Sequence, residues 1–193
     1  MQSLSKPEKF RFILNFAKEK KKSKALDISV IRKRGMTNKD FINQQLQYLS
    51  LFSALKIVVG SERTMAIAKK IMDNTAKDAL LASLPSKEEV LEVGEPFDVL
   101  RKLFESGTIA AEKAGCHKMI ISENTETAFQ FDIHWCVWLE LAKLMDIPEA
   151  CIPNCYADDL AYPVYFDALD IKYSRKSTLA WGASCCDFRF EKK

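Results

Sequence analysis

The chain has 193 residues, 48% of them apolar and 28% charged, with a formal net charge of +3. That is enough hydrophobic material for a real core, and a length that suits one domain with elaborations. The small charge excess is local, in Lys18–Lys24 and Arg32–Arg34, and lacks the basic, aromatic-interleaved stripe of a nucleic-acid binder; it reads as a solvated helix face or arm.

Residues 1–35 are basic and helix-compatible, with Phe10, Phe12, Ile13, Leu14 and Phe16 offering an apolar face. They contain no secretory apolar core, and no run in the chain approaches the roughly 18 apolar residues of a membrane span. The expectation is a cytoplasmic protein. Residues 36–115 read as helical. Thr37-Asn38-Lys39-Asp40 is a helix start, followed by Phe41, Leu46, Leu49, Phe52 and Leu55 at helical spacing. Gly60-Ser61 breaks that helix and caps a second, whose stripe (Met65, Ala68, Ile71, Met72, Ala76, Leu80) runs as far as Pro85. A third helix spans about 96–114 and is interrupted or capped near Gly107.

The texture changes at Gly115. Cys116–Ser122 is a short β-like run, and Asn124-Thr125 supplies a turn. Ala128–His134 then alternates, with Phe129, Phe131 and Ile133 on one side and Gln130, Asp132 and His134 on the other. A helix follows from Trp135 to Met145. Another starts near Ile152 and is kinked or ended by Pro163. Strands at 171–180 and 185–191 complete the chain. The predicted fold is one α+β domain, 1–193, with helices packed on a roughly four-stranded antiparallel sheet built from 116–193.

Three polar clusters stand out. Cys155, Asp158, Asp159 and Tyr162 fall on one helical stripe; a carboxylate one turn from a thiol can orient a base or a substrate amine, although it raises the thiol pKa. His134, on the polar side of its strand at a strand-to-helix junction, is the candidate general base, whereas His117 reads as a surface residue. In the terminal run, alternation puts Cys186, Phe188 and Phe190 on one face and Cys185, Asp187 and Arg189 on the other. The adjacent cysteines therefore point apart, with Cys186 inward. Six cysteines without a CxxC pair, in a reducing compartment, suggest free thiols, metal ligands or a nucleophile rather than disulfides.

Cys136 at the head of a helix, Pro148-Glu149 followed by Cys155-Tyr-Ala-Asp158, and Ser177-Thr-Leu-Ala-Trp-Gly182 running into Cys186-Asp-Phe-Arg-Phe190 occur in order. This pattern, over roughly 130–190, resembles the L-2-amino-thiazoline-4-carboxylic acid hydrolase family. The resemblance implies hydrolytic opening of a cyclic amidine-like ring to a carbamoyl amino acid, a small-molecule substrate and no cofactor. On that reading Cys155, Asp158 and His134 are catalytic, with Cys155 or a water attacking the ring. Arg189 (failing it, Arg175), Cys136, Cys186, Asp159 and Tyr162 bind substrate. Two alternatives stay open: a non-catalytic small-ligand-binding domain of the 4-vinyl reductase or transport-particle kind, and a metal site built from Cys136, Cys155, Cys186 and Asp158. Neither nucleic acid nor membrane is an expected partner, and a homo-oligomer stays open.

Overall fold

The computed structural model describes residues 4–193. The first three residues of the predicted 1–35 arm, and the Ala76 side chain of the second stripe, lie outside the described residues. Helix α1 (Lys6–Lys24) starts with a capping box in which Ser5 and Glu8 each satisfy the other's backbone N–H. It lies along α3 (Lys39–Val59) rather than projecting as an arm. The contact is polar at its centre: Ser53 Oγ donates to buried Glu19 at 2.9 Å, and Ser50 to Ser23 at 3.1 Å. Phe10, Ile13 and Leu14 of the predicted apolar face remain exposed.

Asn38 caps α3 by accepting from the Phe41 N–H. A short helix α2 (Ser29–Lys33) precedes it. Gly60, at φ +80°, ends α3 and opens α4 (Ser61–Ile71). The single stripe predicted to reach Pro85 is broken by a π-turn at Met72–Ala76 before α5 (Lys77–Leu81). The wider turn re-aims the stripe, and such turns recur beside functional sites; here Met72 and Leu80 enter a cavity wall. Where no element was predicted, Ser86 and Glu89 form a second capping box that starts α6 (Lys87–Val93). Helix α7 (Pro96–Lys113) runs unbroken through Gly107. Among the described residues no helix is long and apolar enough to cross a membrane.

Four antiparallel strands, β1 (His117–Asn124), β2 (Ala128–Cys136), β3 (Ile171–Ser174) and β4 (Cys186–Lys192), lie in the order β1-β2-β4-β3. The helix-then-sheet α+β plan holds. On the inner face Phe129 pairs with Phe190, Phe131 with Phe188 and Ile133 with Cys186. Between β2 and β3 come α8 (Val137–Leu144), a 3-10 turn (Pro148–Cys151) and α9 (Ile152–Asp167). Helix α9 passes Pro163 instead of ending there. Tyr162 and Phe166 pack on the sheet, with Phe166 4.7 Å from Phe190 between ring centroids, and that burial outweighs one lost backbone bond. β3 stops at Ser174, so most of the predicted 171–180 strand is a loop, which Asp187 holds by accepting from the Lys176 and Ser177 N–H groups.

A second core, built on Ile31, Met36, Leu46, Leu49, Val137 and Leu141, ties the N-terminal helices to α8. Lys56 pairs with Glu149 at 2.5 Å and Tyr48 donates to the Ala150 carbonyl at 2.8 Å. These bonds place the 3-10 turn that carries Cys151. Gly115 packs directly against the backbone of Arg34–Met36. It sits at φ +70°, and a Cβ there would strike Met36 N, with Gly35 C and Arg34 O at 2.6 and 2.7 Å. Gly115→Ala is expected to destabilise the fold by about 2–4 kcal/mol, combining left-handed strain with overpacking against backbone. Urea unfolding checks this; an unchanged midpoint would remove Gly115 as the contact that seats β1.

Candidate active site

The inner face of the sheet, α7, α9 and the chain around α5 line a cavity of about 560 Å³ that is partly open to solvent. Its polar groups come from a few places: His117 of β1, Cys136 of β2, Cys151 of the 3-10 turn, Asn154, Cys155 and Asp158 of α9, and Arg175 just past β3. The wall opposite is apolar and includes Met72, Leu80, Leu84, Leu103 and Phe104.

Cys136 reaches this cavity through an irregularity. Pairing steps from Met119↔Ile133 to Lys118↔Trp135, leaving His134 as an extra residue on β2. Regular alternation from Phe129, Phe131 and Ile133 would have turned Trp135 inward and Cys136 out. The bulge reverses both, and Cys136 lands opposite His117. Trp135 is turned instead toward the second core, with Arg34 over its ring.

The Cys136 thiol is held well below the ordinary thiol range. The largest cause is a hydrogen bond from the Cys151 thiol; His117 adds a hydrogen bond and charge, and the Leu139 N–H in the first turn of α8 adds to these, all against the opposing effect of burial. Cys151 is correspondingly pushed far up, because as donor to Cys136 it keeps its proton. The His117 ring stacks on Trp138 at 5.0 Å. Its Nδ1 is buried without a protein partner. Cys186 is a different thiol: burial pushes it up to about 12, and its sulfur accepts from the Leu179 N–H at 3.2 Å.

Arg175 anchors the far side of the polar end. Its side chain is 2% exposed, and its two terminal nitrogens meet Asp158 at 2.8 Å, Asp159 at 2.7 Å and the Cys155 carbonyl at 2.5 Å. The guanidinium lies 4.9 Å over the Phe188 ring. Burial pushes the Asp158 carboxyl up to about 6 despite that cation. Burial likewise raises the Tyr162 hydroxyl.

Of the residues singled out from sequence, Cys136, Cys155, Asp158, Tyr162 and Cys186 line the cavity together, and Asp159 stands behind them on Arg175. His134 is not brought there. It is exposed at the bulge, on the other face of the sheet. Arg189 also faces away, bonded to Glu123 at 2.5 Å and Gln130 at 3.0 Å, as alternation from Cys186 requires. His117, read from sequence as a surface residue, is instead the imidazole of the cavity. Its shared parity with Met119 and Ile121 is the signal that marks it. Among the described residues no group of three or more His, Cys, Asp and Glu side chains is placed to hold a metal ion, and all six cysteines are free.

The Cys136 thiol thus stands beside the His117 imidazole at the polar end of a partly open cavity. The chain belongs to the L-2-amino-thiazoline-4-carboxylic acid hydrolase family, whose sequence profile matches residues 40–190. That span extends the resemblance from the C-terminal third back into α3. Neither the curated proteins nor the solved structures include one that matches the chain.

Proposed function

We propose that the chain is a hydrolase that opens a cyclic amidine of the 2-amino-thiazoline type, with Cys136 as nucleophile. One observation carries this reading: Cys136 lies opposite His117 inside the cavity, where His117 and the Cys151 thiol both favour its charged form. Cys155, the choice from sequence, shares the cavity but its backbone carbonyl is tied to Arg175 and Asp158 lies one turn on; it fits better as wall.

The chemistry balances as a two-stage displacement. The substrate enters as an amidinium, held by the Asp158 carboxylate, which keeps C2 electrophilic. The Cys136 thiolate forms an S–C2 bond while the C2=N electron pair moves to nitrogen. Collapse breaks the ring C2–S bond, and the departing sulfur takes a proton from the His117 imidazolium. The enzyme is left as an S-linked isothiouronium. Water then adds to the same carbon and gives a proton to His117. Loss of Cys136 as thiolate leaves a carbonyl, so the product is a carbamoyl amine with a free thiol. The proton that arrived on the amidinium departs through Asp158 to solvent. One water is consumed, and thiolate and imidazolium are restored.

The test is turnover of a 2-amino-thiazoline together with the mass of the protein during turnover. A ring-opened substrate adduct that maps to Cys136 is the expected result. Product formation with no adduct, or an adduct on Cys155, would overturn the assignment. Uniformly slow alkylation of all six thiols with no turnover would favour the ligand-binding reading instead.

A further inference from the structure

Helix α1 buries Glu19 and Ser23 against α3 and turns an unlike face to solvent. On that face Phe10, Ile13 and Leu14 are 65%, 64% and 49% exposed, with exposed Ala17 one turn further on. Offsets of three, four and seven residues place them in one stripe. Single exposed apolar side chains are ordinary, but a contiguous set on one helix face marks an interaction surface. Exposed Lys6 precedes the stripe, and exposed Lys21 and Lys24 follow it on the same face.

The charge around the stripe has one sign. Helix α1 holds eight lysines or arginines and two glutamates, whereas the rest of the chain has more acidic than basic residues. Both glutamates are engaged away from the stripe. Glu8 pairs with Arg63 at 2.7 Å; Glu19 accepts from Ser53 at 2.9 Å and meets Lys22 at 3.3 Å. Among the described residues Lys6, Lys21 and Lys24 pair with no carboxylate. A second copy of the chain seated on this face would bring like charges together. A nucleic acid would meet the lysines but offers no apolar phase for Ile13 and Leu14. An anionic lipid surface supplies both, and it yields to a ridge on a single helix as a preformed groove does not.

We propose that α1 is an interfacial anchor, lying on an anionic lipid surface with Phe10, Ile13 and Leu14 below the headgroups and Lys6, Lys21 and Lys24 among the phosphates. The hydropathy that excludes a membrane partner excludes only a span; a helix in the plane of the interface needs none. The apolar residues are exposed already, so docking leaves the α1–α3 contact as it is. Each lysine near the surface strengthens attachment about fivefold, and each buried methylene about fourfold. Attachment is therefore reversible and weakens with salt. It does not depend on the ring-opening reading.

The test is co-sedimentation of the full chain with vesicles of phosphatidylcholine alone and of phosphatidylcholine mixed with phosphatidylserine. Binding to the anionic vesicles is expected to exceed binding to the neutral ones at least about tenfold, and to fall as salt is raised. Phe10→Gln with Ile13→Gln is expected to lower anionic binding at least about tenfold, and Lys21→Gln with Lys24→Gln about 25-fold. All four positions are exposed, so both variants are expected to keep the wild-type urea midpoint. Absence of binding to the anionic vesicles would overturn the proposal. Equal binding to both vesicles, or anionic binding unchanged in the Phe10 and Ile13 variant, would do the same. Sedimentation equilibrium and a labelled single-stranded oligonucleotide identify the other occupants. Self-association or oligonucleotide binding that this variant loses, without vesicle binding by the wild type, would give the face to a second copy or to nucleic acid instead.

Discussion

Cys136→Ser is expected to lower kcat for 2-amino-thiazoline opening by at least about 10³-fold, the scale on which removal of a nucleophile acts. A serine hydroxyl in the same place stays protonated at neutral pH, so Cys151 and His117 no longer have a thiolate to stabilise. Both lower the Cys136 thiol by favouring its charged form, Cys151 through a hydrogen bond and His117 through a hydrogen bond and charge. Cys155→Ser, by contrast, is expected to retain activity within about tenfold, since its loss reshapes the wall without removing the bond-forming atom. Steady-state rates on the two variants, paired with iodoacetamide labelling, decide between the thiols. Cys136 is expected to label first. Equal loss in both variants would show that the pair acts as a unit, and a greater loss at Cys155 would return the nucleophile to α9.

The inner face of the sheet was legible because its side chains obey the two-residue period. Phe129, Phe131 and Ile133 on β2, and Cys186, Phe188 and Phe190 on β4, form the face that alternation predicts. The same rule separates Cys185 from Cys186 and sends Arg189 away from the cavity. Asn38 as a helix start was equally readable, because an N-cap is a local interaction. Cys136 was recognised, but its role was hidden. Its orientation depends on a bulge at His134, and a bulge is a property of two paired strands rather than of one sequence run. The bulge also explains why His134 misled: it is the extra residue that turns Cys136 inward. Arg175 lay inside a predicted strand, and only the bend after Ser174 brings it against Asp158 and Asp159. The N-terminal helices carried no recognisable motif for a related reason. Met72, Leu80, Leu103 and Phe104 contribute shape and apolar wall, and such residues look like core in any sequence.

Arg175→Met is expected to destabilise the protein by about 3–5 kcal/mol at pH 8, the range seen when one partner of a buried ion pair is removed. The arginine side chain is nearly sealed from solvent, and its loss strands Asp158 and Asp159 together beside an apolar cavity. The effect depends on pH in a defined direction. Asp158 titrates near 6 in the folded protein against 3.8 as its ordinary value. The folded state thus holds this proton more tightly, and the associated stability is fully present below about pH 4 and is lost as pH rises through 6. Without Arg175 the neutral carboxyl is favoured further, so the window moves upward. Arg175→Met is therefore expected to be less destabilised at pH 5 than at pH 8, while Arg175→Met with Asp158→Asn loses most of that difference. Urea denaturation at the two pH values measures both. The same proton governs activity, because only ionised Asp158 can hold an amidinium: kcat/KM of the wild type is expected to rise through an acidic limb near pH 6 that Asp158→Asn abolishes. A pH-independent cost of removing Arg175 would mean that its main contribution is packing on Phe188 rather than charge, and would withdraw Asp158 as the counter-ion of the substrate.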